Sequence, residues 1–486
     1  VSDNPAPDRS RWAALAVVVL AALLDGLDAT VVTVVLPVVQ ADVGASFATA
    51  QWTLAGYVLA FALLLITGGR LGDIYGRRKV FLSGVAGFTV ASLVCGLAWN
   101  AELLVAGRVA QGAAAALMVP QVVSVIMTMF PREQWPVAFG VLGGVLSIGT
   151  VGGPLLGGLL TEADLFGLGW RAIFLINLPL CLLAFGAAVK LLPERRSDQP
   201  LRVDGTGVAL LGLAVLALMV PLVQGRELGW PWWSIALLVA SVGLFVLFGR
   251  SQVRRHAKDA SALVPPTLFR SRSFTLGLAV TFLAFTGIGS LFLVLTYHLQ
   301  SALGWSALRT ALATAAWPLG IAATFQIAWR AGAGRERRFV GIGSSLMGVG
   351  ALSLLVLVDT AGASVTVWQI SLAEFVIGCG MGLTSPVLTA LVLGEVPQTD
   401  AGSGSGVVNA VIQFGSAAGI AVLGTIYFGL LTSVAAPDAA PLALWYNVAA
   451  FAVTAVASRF LPGAPKTETA PTANGEENGE QVPAHA

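Results

Sequence analysis

Long apolar runs separated by short polar ones dominate this chain. Stretches able to cross about 30 Å of hydrocarbon, roughly 20 residues each, number fourteen. They lie at approximately 12–37, 50–69, 79–98, 103–129, 136–160, 171–192, 206–224, 232–249, 274–298, 307–328, 338–358, 366–393, 403–430 and 442–461. None shows the ten-residue polar/apolar alternation of membrane barrel strands, so each is expected to be a helix, with its backbone hydrogen bonds satisfied internally. The gaps between them leave no room for a soluble catalytic domain. Residues 1–11 and 463–486, rich in Pro, Asp, Glu, Ala and Asn, read as disordered tails.

Composition agrees with a bilayer protein: 56% of the 486 residues are hydrophobic and 11% charged, against about a quarter charged in soluble domains. Charge then sets orientation. With the N-terminus in the cytoplasm, all of the 27 Lys and Arg fall in cytoplasmic segments except Arg171, Arg226 and Arg309 outside and Arg108 within a span. The positive-inside rule therefore puts both termini in the cytoplasm. Trp12, Trp52, Trp99, Trp170, Trp230, Trp305 and Trp445 sit near span ends, where interfacial anchors are expected. The first run is too long, and carries too many acids, for a cleaved leader. Cys95, Cys181 and Cys379 all lie inside spans, which argues against disulfides and metal sites. A net charge of +2 gives no reason to expect nucleic acid. Abundant Ala, Gly and Val, with Arg far in excess of Lys, suggest a GC-rich bacterial genome, and hence a bacterial cytoplasmic membrane.

Shifting the sequence by 266 residues lays spans 4 and 5 on spans 12 and 13 without a gap. Gly112 falls on Gly378, Pro120 on Pro386, Pro131 on Pro397, Gly140 on Gly406, Gly149 on Gly415, Gly153 on Gly419 and Gly158 on Gly424. The chain therefore contains two related halves, one of the known transporter plans. An offset of eight spans means that two were inserted between halves of six. The expected division is 12–192 for the first six-helix bundle, 193–250 for the two inserted helices, 251–273 for a cytoplasmic linker and 274–462 for the second bundle.

Span 5 contains Phe139 to Gly158, FGVLGGVLSIGTVGGPLLGG, with Gly140, Gly149, Gly153, Pro154 and Gly157 at defined spacings. Glycines on a membrane helix let a neighbouring backbone approach, and the proline removes a backbone hydrogen bond and bends the helix. This pattern resembles the antiporter motif (motif C) of drug exporters in the major facilitator superfamily. Gly69-Arg70-Leu71-Gly72-Asp73-Ile74-Tyr75-Gly76-Arg77-Arg78 resembles motif A, the cytoplasmic loop between helices 2 and 3, with Ile74 in place of a usual basic residue. Leu27 to Pro37 resembles the helix-1 signature, with Thr33 for its usual Asn. Arg108, Gln111 and Gly112 match motif B, and Trp170 to Pro179 resembles the start of helix 6. A second copy of motif A near 334–338 is degenerate and lacks the Asp. The chain thus resembles the fourteen-helix drug:proton antiporter branch along essentially all its spans. The resemblance implies an all-α polytopic fold of two six-helix bundles plus two inserted helices. It also implies a gating latch at Gly69, Asp73, Gly76, Arg77 and Arg78.

Charges inside a bilayer are costly and mark function by default. Four lie here: Asp25, Asp28, Arg108 and Glu374. Asp25 and Asp28 share a face of helix 1. At about 1.5 Å per residue, Asp28 lies roughly 13 Å and Arg108 roughly 9 Å from the outer ends of their spans, within reach of one another. A carboxylate that pairs alternately with Arg108 and with a proton would couple proton entry to substrate exit. The 266-residue shift lays Glu374 on Arg108, and so predicts that it faces a central cavity from the second half, where it would attract a cationic substrate or carry a proton. Gln111, Asn409 and Gln413 are the remaining candidate cavity residues, with Asp25 beside them. His298 is expected at the outer interface.

These residues predict a proton-coupled exporter of a hydrophobic small molecule, cationic ones included, acting as a monomer without cofactor or metal. None of the four lysines stands in a Gly-Lys-Ser/Thr context, so this chain holds no nucleotide-driven motor. The rivals are a symporter of the same fold that imports a metabolite, and a membrane receptor or scaffold that transports nothing. A membrane enzyme would need a nucleophile with its base or a metal-ligand cluster, and neither pattern is found.

Overall fold

The structure, a computed structural model, describes residues 8–194, 203–259, 262–330, 335–397 and 401–462. Arg195 and Arg196, expected in a cytoplasmic segment, Gly334 of the degenerate motif A copy and most of both tails lie outside the described residues. Among the described residues, fourteen helices are long and apolar enough to cross a membrane. They are α1 Asp8–Val43, α2 Phe47–Tyr75, α3 Arg77–Gly96, α4 Ala101–Met129, α5 Trp135–Ala163, α6 Gly169–Leu191, α7 Gly205–Gln224, α8 Trp232–Asp259, α9 Arg272–Ala302, α10 Ala307–Ala328, α11 Glu336–Ala361, α12 Val367–Leu393, α13 Ala401–Leu430 and α14 Ala436–Ala457. Successive helices run antiparallel. One end of the bundle, here the basic face, carries Arg77, Arg78, Lys79, Arg254 and Arg338 near the chain turns.

Several boundaries differ from expectation, each for a local reason. Helix α1 passes through Pro37 and ends at Val43, because bundle packing tolerates a proline inside a membrane helix. Asp28 therefore lies fifteen residues, about 22 Å, from that end. Motif A is not a loop: Gly69 to Tyr75 complete α2, and Gly76 alone breaks the chain, at φ 101°, a conformation that glycine adopts without steric cost. Helix α8 runs ten residues past its apolar segment, so residues 251–259 are helical rather than linker. Residues 8–11 likewise belong to α1 instead of the tail.

Helix pairing reproduces the internal repeat. In the first half α2 packs on α4, α3 on α4, α1 on α5, α3 on α6 and α1 on α6. In the second, α10 packs on α12, α11 on α12, α9 on α13, α11 on α14 and α9 on α14. Each pair recurs eight helices later. Glycines sit at matching contacts: a Cβ on Gly112 would lie 2.2 Å from the Tyr57 carbonyl oxygen of α2, and one on Gly378 2.0 Å from the Trp317 carbonyl oxygen of α10. The fold is thus two six-helix bundles joined through two related seams, α2 with α13 and α5 with α10. The inserted α7 packs on α2 and α13, while α8 packs on α7.

At the face opposite the basic one the halves are tied together. The Tyr297 hydroxyl donates to Gln40 Oε1 at 2.5 Å, Gln300 Nε2 to the Val34 carbonyl at 2.6 Å and Ser306 to Glu162 at 3.2 Å. Phe47 stacks on Phe428 with ring centres 4.2 Å apart. Contact between α5 and α10 is concentrated in residues 307–314. Two expected interfacial anchors are interior instead. Trp170 is buried with its indole N–H on Asp42 at 2.9 Å, and Trp305 is buried under the Arg309 guanidinium, 4.0 Å from the ring centre.

Candidate functional site

The first half holds a polar cluster inside an apolar bundle. Asp28 projects from α1 toward α4, where its carboxylate pairs with the Arg108 guanidinium, both side chains sealed from solvent. Gln111, one turn along α4, donates to Asp28 Oδ1 at 3.0 Å, and Asn177 of α6 donates to the same oxygen at 3.0 Å. Arg108 also donates to Gln111 Oε1 at 3.0 Å and to the Thr53 carbonyl at 3.2 Å. Its guanidinium lies 4.3 Å from the Tyr57 ring centre, a cation–π contact that offsets part of the cost of burial. Ser92 of α3 closes the network, accepting from Gln111 at 2.8 Å. The Tyr57 hydroxyl donates to Asp25, one turn before Asp28.

Five helices thus converge on one network, in which the Asp28 carboxylate accepts from Arg108 and Gln111 of α4 and Asn177 of α6. A proton placed on Asp28 removes the negative charge that Arg108 pairs with, so protonation and the Arg108 pair oppose one another. Full satisfaction of a buried network is what makes it stable and specific. The sequence joins Asp28 to Arg108 and offers Gln111 only as a cavity residue; Tyr57, Thr53 and Ser92 are additions from the structure. Asn177 stood in the helix-6 signature without a role. Their signal was available: each is a polar side chain within an apolar span.

The second half is built differently. Gln111 falls on Ile377 under the repeat, and Glu374, on the position of Arg108, is fully buried beside Ile370, Ala373 and Ile377. Neither of its carboxylate oxygens meets a hydrogen-bonding group among the described residues. Where an open cavity was expected, Glu374 and Gln111 are both enclosed in this structure. His298 is not interfacial: a π-helical turn at His298–Ala302 carries it inward, where it is 1% exposed. Asn409 is exposed and donates to the Ser405 carbonyl at 3.0 Å, and Gln413 is half-buried.

Motif A stitches α2 and α3 to α4 and α6. Asp73 pairs with Arg77 at 3.2 Å, Arg77 donates to the Ser124 carbonyl at 3.2 Å and Arg78 to the Val189 carbonyl. Motif C packs on α1. A Cβ on Gly149 would come 3.3 Å from Leu27 N, one on Gly153 2.9 Å from the Leu27 carbonyl oxygen, and one on Gly157 2.9 Å from the Val31 carbonyl oxygen. Gly140 faces open space and takes no part in this contact. Gly158, one residue beyond the motif, touches Leu308 of α10 across the seam between halves.

Comparison with known proteins agrees with this architecture. The family described as Major Facilitator Superfamily matches residues 18–420 and 277–484. A probable actinorhodin transporter of Streptomyces coelicolor is 40% identical over 89% of this chain and 75% of its own length. The multidrug efflux pump LfrA of Mycolicibacterium smegmatis is 30% identical over 88% of this chain and 82% of its own. A crystal structure of a POT family transporter in complex with 5-aminolevulinic acid shares the fold, with TM-score 0.67 at 15% identity over 93% of this chain and 96% of that one. Paired six-helix halves, two inserted helices and a match along most of the sequence together place the chain in the Major Facilitator Superfamily, as a membrane transporter and not an enzyme.

Proposed function

We propose that the protein is a proton-driven exporter of hydrophobic small molecules, cationic ones included, in a bacterial cytoplasmic membrane, working as a monomer with its basic face and both termini in the cytoplasm. The observation that carries this reading is the Asp28–Arg108 pair, sealed from solvent within the first bundle and held by donors from α4 and α6. A static brace would be served as well by apolar packing, since buried ion pairs are poor stabilisers; a titratable carboxylate would not. Likeness to a pump named for multidrug efflux supports the cargo class. In the state described, ties at the opposite face close the outside, and motif A at Gly69, Asp73, Gly76, Arg77 and Arg78 acts as the cytoplasmic latch. Asp28 carries the coupling proton, Arg108 is its counter-ion and Asp25 tunes it through Tyr57. Asn409 and Gln413 meet cargo from the second half.

Vesicles reconstituted with the purified protein and loaded with a fluorescent cationic dye test the reading directly. Imposing a pH gradient should drive dye movement against its own gradient, with proton flux opposite in direction. Dye and protons moving together would identify an importing symporter, and no dye movement a receptor or scaffold.

Glu374 is the second proton or cation site in this scheme, sealed now and opened when the halves rock. Glu374→Gln keeps the shape and removes the charge. Transport of cationic cargo should fall about tenfold or more, with neutral cargo changed by about threefold at most, because one ionic contact in a desolvated site is worth roughly 1.5–3 kcal/mol. Equal loss for both cargo types would remove Glu374 from the substrate path.

A further inference from the structure

The inserted helices carry a feature that transport does not use. Arg250, Arg254 and Lys258 follow one another at four-residue steps along the last turns of α8, all exposed, so they form one cationic stripe. They line a groove of about 470 Å³ between α7 and α8 together with Asp204, Thr206, Leu210, Leu247 and Ser251. Above the stripe the wall is apolar: Leu247 is 51% exposed, and Leu213, Val246 and Val242 face the same surroundings.

Asp204 is the only acid lining the groove among the described residues, and its charge is already engaged. It caps α7 through the Gly207 N–H at 2.8 Å, accepts from Gln252 Nε2 at 2.8 Å and pairs with Arg255 at 3.2 Å. The floor is equally fixed. Leu263 N–H reaches Asp204, Val264 N–H donates to Gln252 at 3.0 Å, and Arg70 of α2 holds the Ala262 carbonyl. Like charges four residues apart destabilise a helix by a few tenths of a kcal/mol per pair. Counting toward the positive-inside rule would not require them to share a face.

The geometry points to an anionic-phospholipid site, with the phosphate of one headgroup held by Arg250, Arg254 and Lys258 and its acyl chains lying along Leu210 and Leu247. Charge complementarity selects the headgroup, and the apolar lining by Leu210 and Leu247 beside exposed Val242 and Val246 selects a lipid over a free phosphate ester. Basic grooves between membrane helices at the cytoplasmic surface suit this chemistry. The inference needs the membrane embedding but not the proton-coupled reading, and its readout is binding.

Full-length protein in mild detergent, titrated with phosphatidylglycerol or phosphatidylcholine and analysed by native mass spectrometry, tests it. The wild type should retain phosphatidylglycerol at about tenfold or more lower concentration, since each cation beside an anionic headgroup contributes roughly fivefold. R250Q/R254Q/K258Q should lose this preference, R250K/R254K should keep it, and R335Q/R337Q/R338Q, which removes equal charge elsewhere on the basic face, should keep it too. Equal retention of both lipids by the wild type, or unchanged preference in the triple Gln variant, would overturn the site. Loss of equal size in R335Q/R337Q/R338Q would reduce it to bulk surface charge, and displacement by glycerol 3-phosphate as effective as by the lipid would make a free ester the ligand. The three side chains are exposed, and a monodisperse elution profile confirms that each variant is folded.

Discussion

Asp28→Asn is expected to abolish efflux against a gradient while leaving dye binding and downhill equilibration measurable. The substitution preserves the volume of the side chain and one carbonyl oxygen for Arg108, but it cannot take up or release a proton. Its amide also brings donors into a site whose other members, Gln111 Nε2 and Asn177 Nδ2, are themselves donors at 3.0 Å. One contact must therefore break. Removing a partner from a buried ion pair costs about 3–5 kcal/mol, so a loss of activity alone could reflect misfolding. Asp28→Asn with Arg108→Gln resolves this, because the pair is then neutral and every group can still find a partner. That double variant should recover the thermal midpoint of the wild type and remain unable to pump. Asp25→Asn should act more weakly, since Asp25 keeps a bond from Tyr57 in either form and lies outside the Arg108 pair. Intact proton-driven transport in Asp28→Asn protein would move the coupling site to Asp25 or Glu374.

The fold was legible because it is written in quantities that need no tertiary knowledge: run length, charge asymmetry and the 266-residue shift. The shift even anticipated the pairing of helices, since Gly112 and Gly378 make the same close approach to α2 and α10. What stayed hidden depended on rotation about the helix axis. Nothing local says that His298 turns inward through a π-helical turn, or that Trp170 lies buried against Asp42 instead of in a lipid headgroup layer. The first apolar run ends at Pro37, yet α1 continues to Val43, because a packed bundle tolerates a proline inside a membrane helix. Within the site, charged residues announced themselves by their cost in a bilayer. Tyr57, Ser92 and Asn177 did not, because a single hydroxyl or amide in an apolar span is cheap enough to be packing.

Gly153→Ala should damage pumping severely, and Gly140→Ala should not, although both belong to motif C. The difference lies in what each would meet. At Gly153 a methyl group would lie 2.0 Å from Thr30 Oγ1 and 2.9 Å from the Leu27 carbonyl oxygen; at Gly140 it would meet nothing within 4 Å. Thr30 can rotate only by giving up its bonds to the Gly26 and Leu27 carbonyls, at 2.9 and 3.2 Å, and the Leu27 backbone cannot rotate away. Helices α1 and α5 must therefore separate along the stretch of α1 that bears Asp25 and Asp28. Such overpacking costs about 1–3 kcal/mol, and it shifts a carboxylate whose partners on α4 and α6 are placed to within hydrogen-bonding tolerance. Replacing Gly140, by contrast, exchanges a poor helix former for a good one at no steric cost, a gain of up to about 1 kcal/mol. Coupled efflux should thus fall to a small fraction of wild type in Gly153→Ala, with a lowered thermal midpoint and near-normal protein level. In Gly140→Ala both rate and midpoint should match or exceed the wild type. Wild-type pumping by Gly153→Ala would make the α1–α5 contact incidental to coupling. Equal damage at Gly140 would show that α5 needs its glycines for a conformation in which that face, too, is packed.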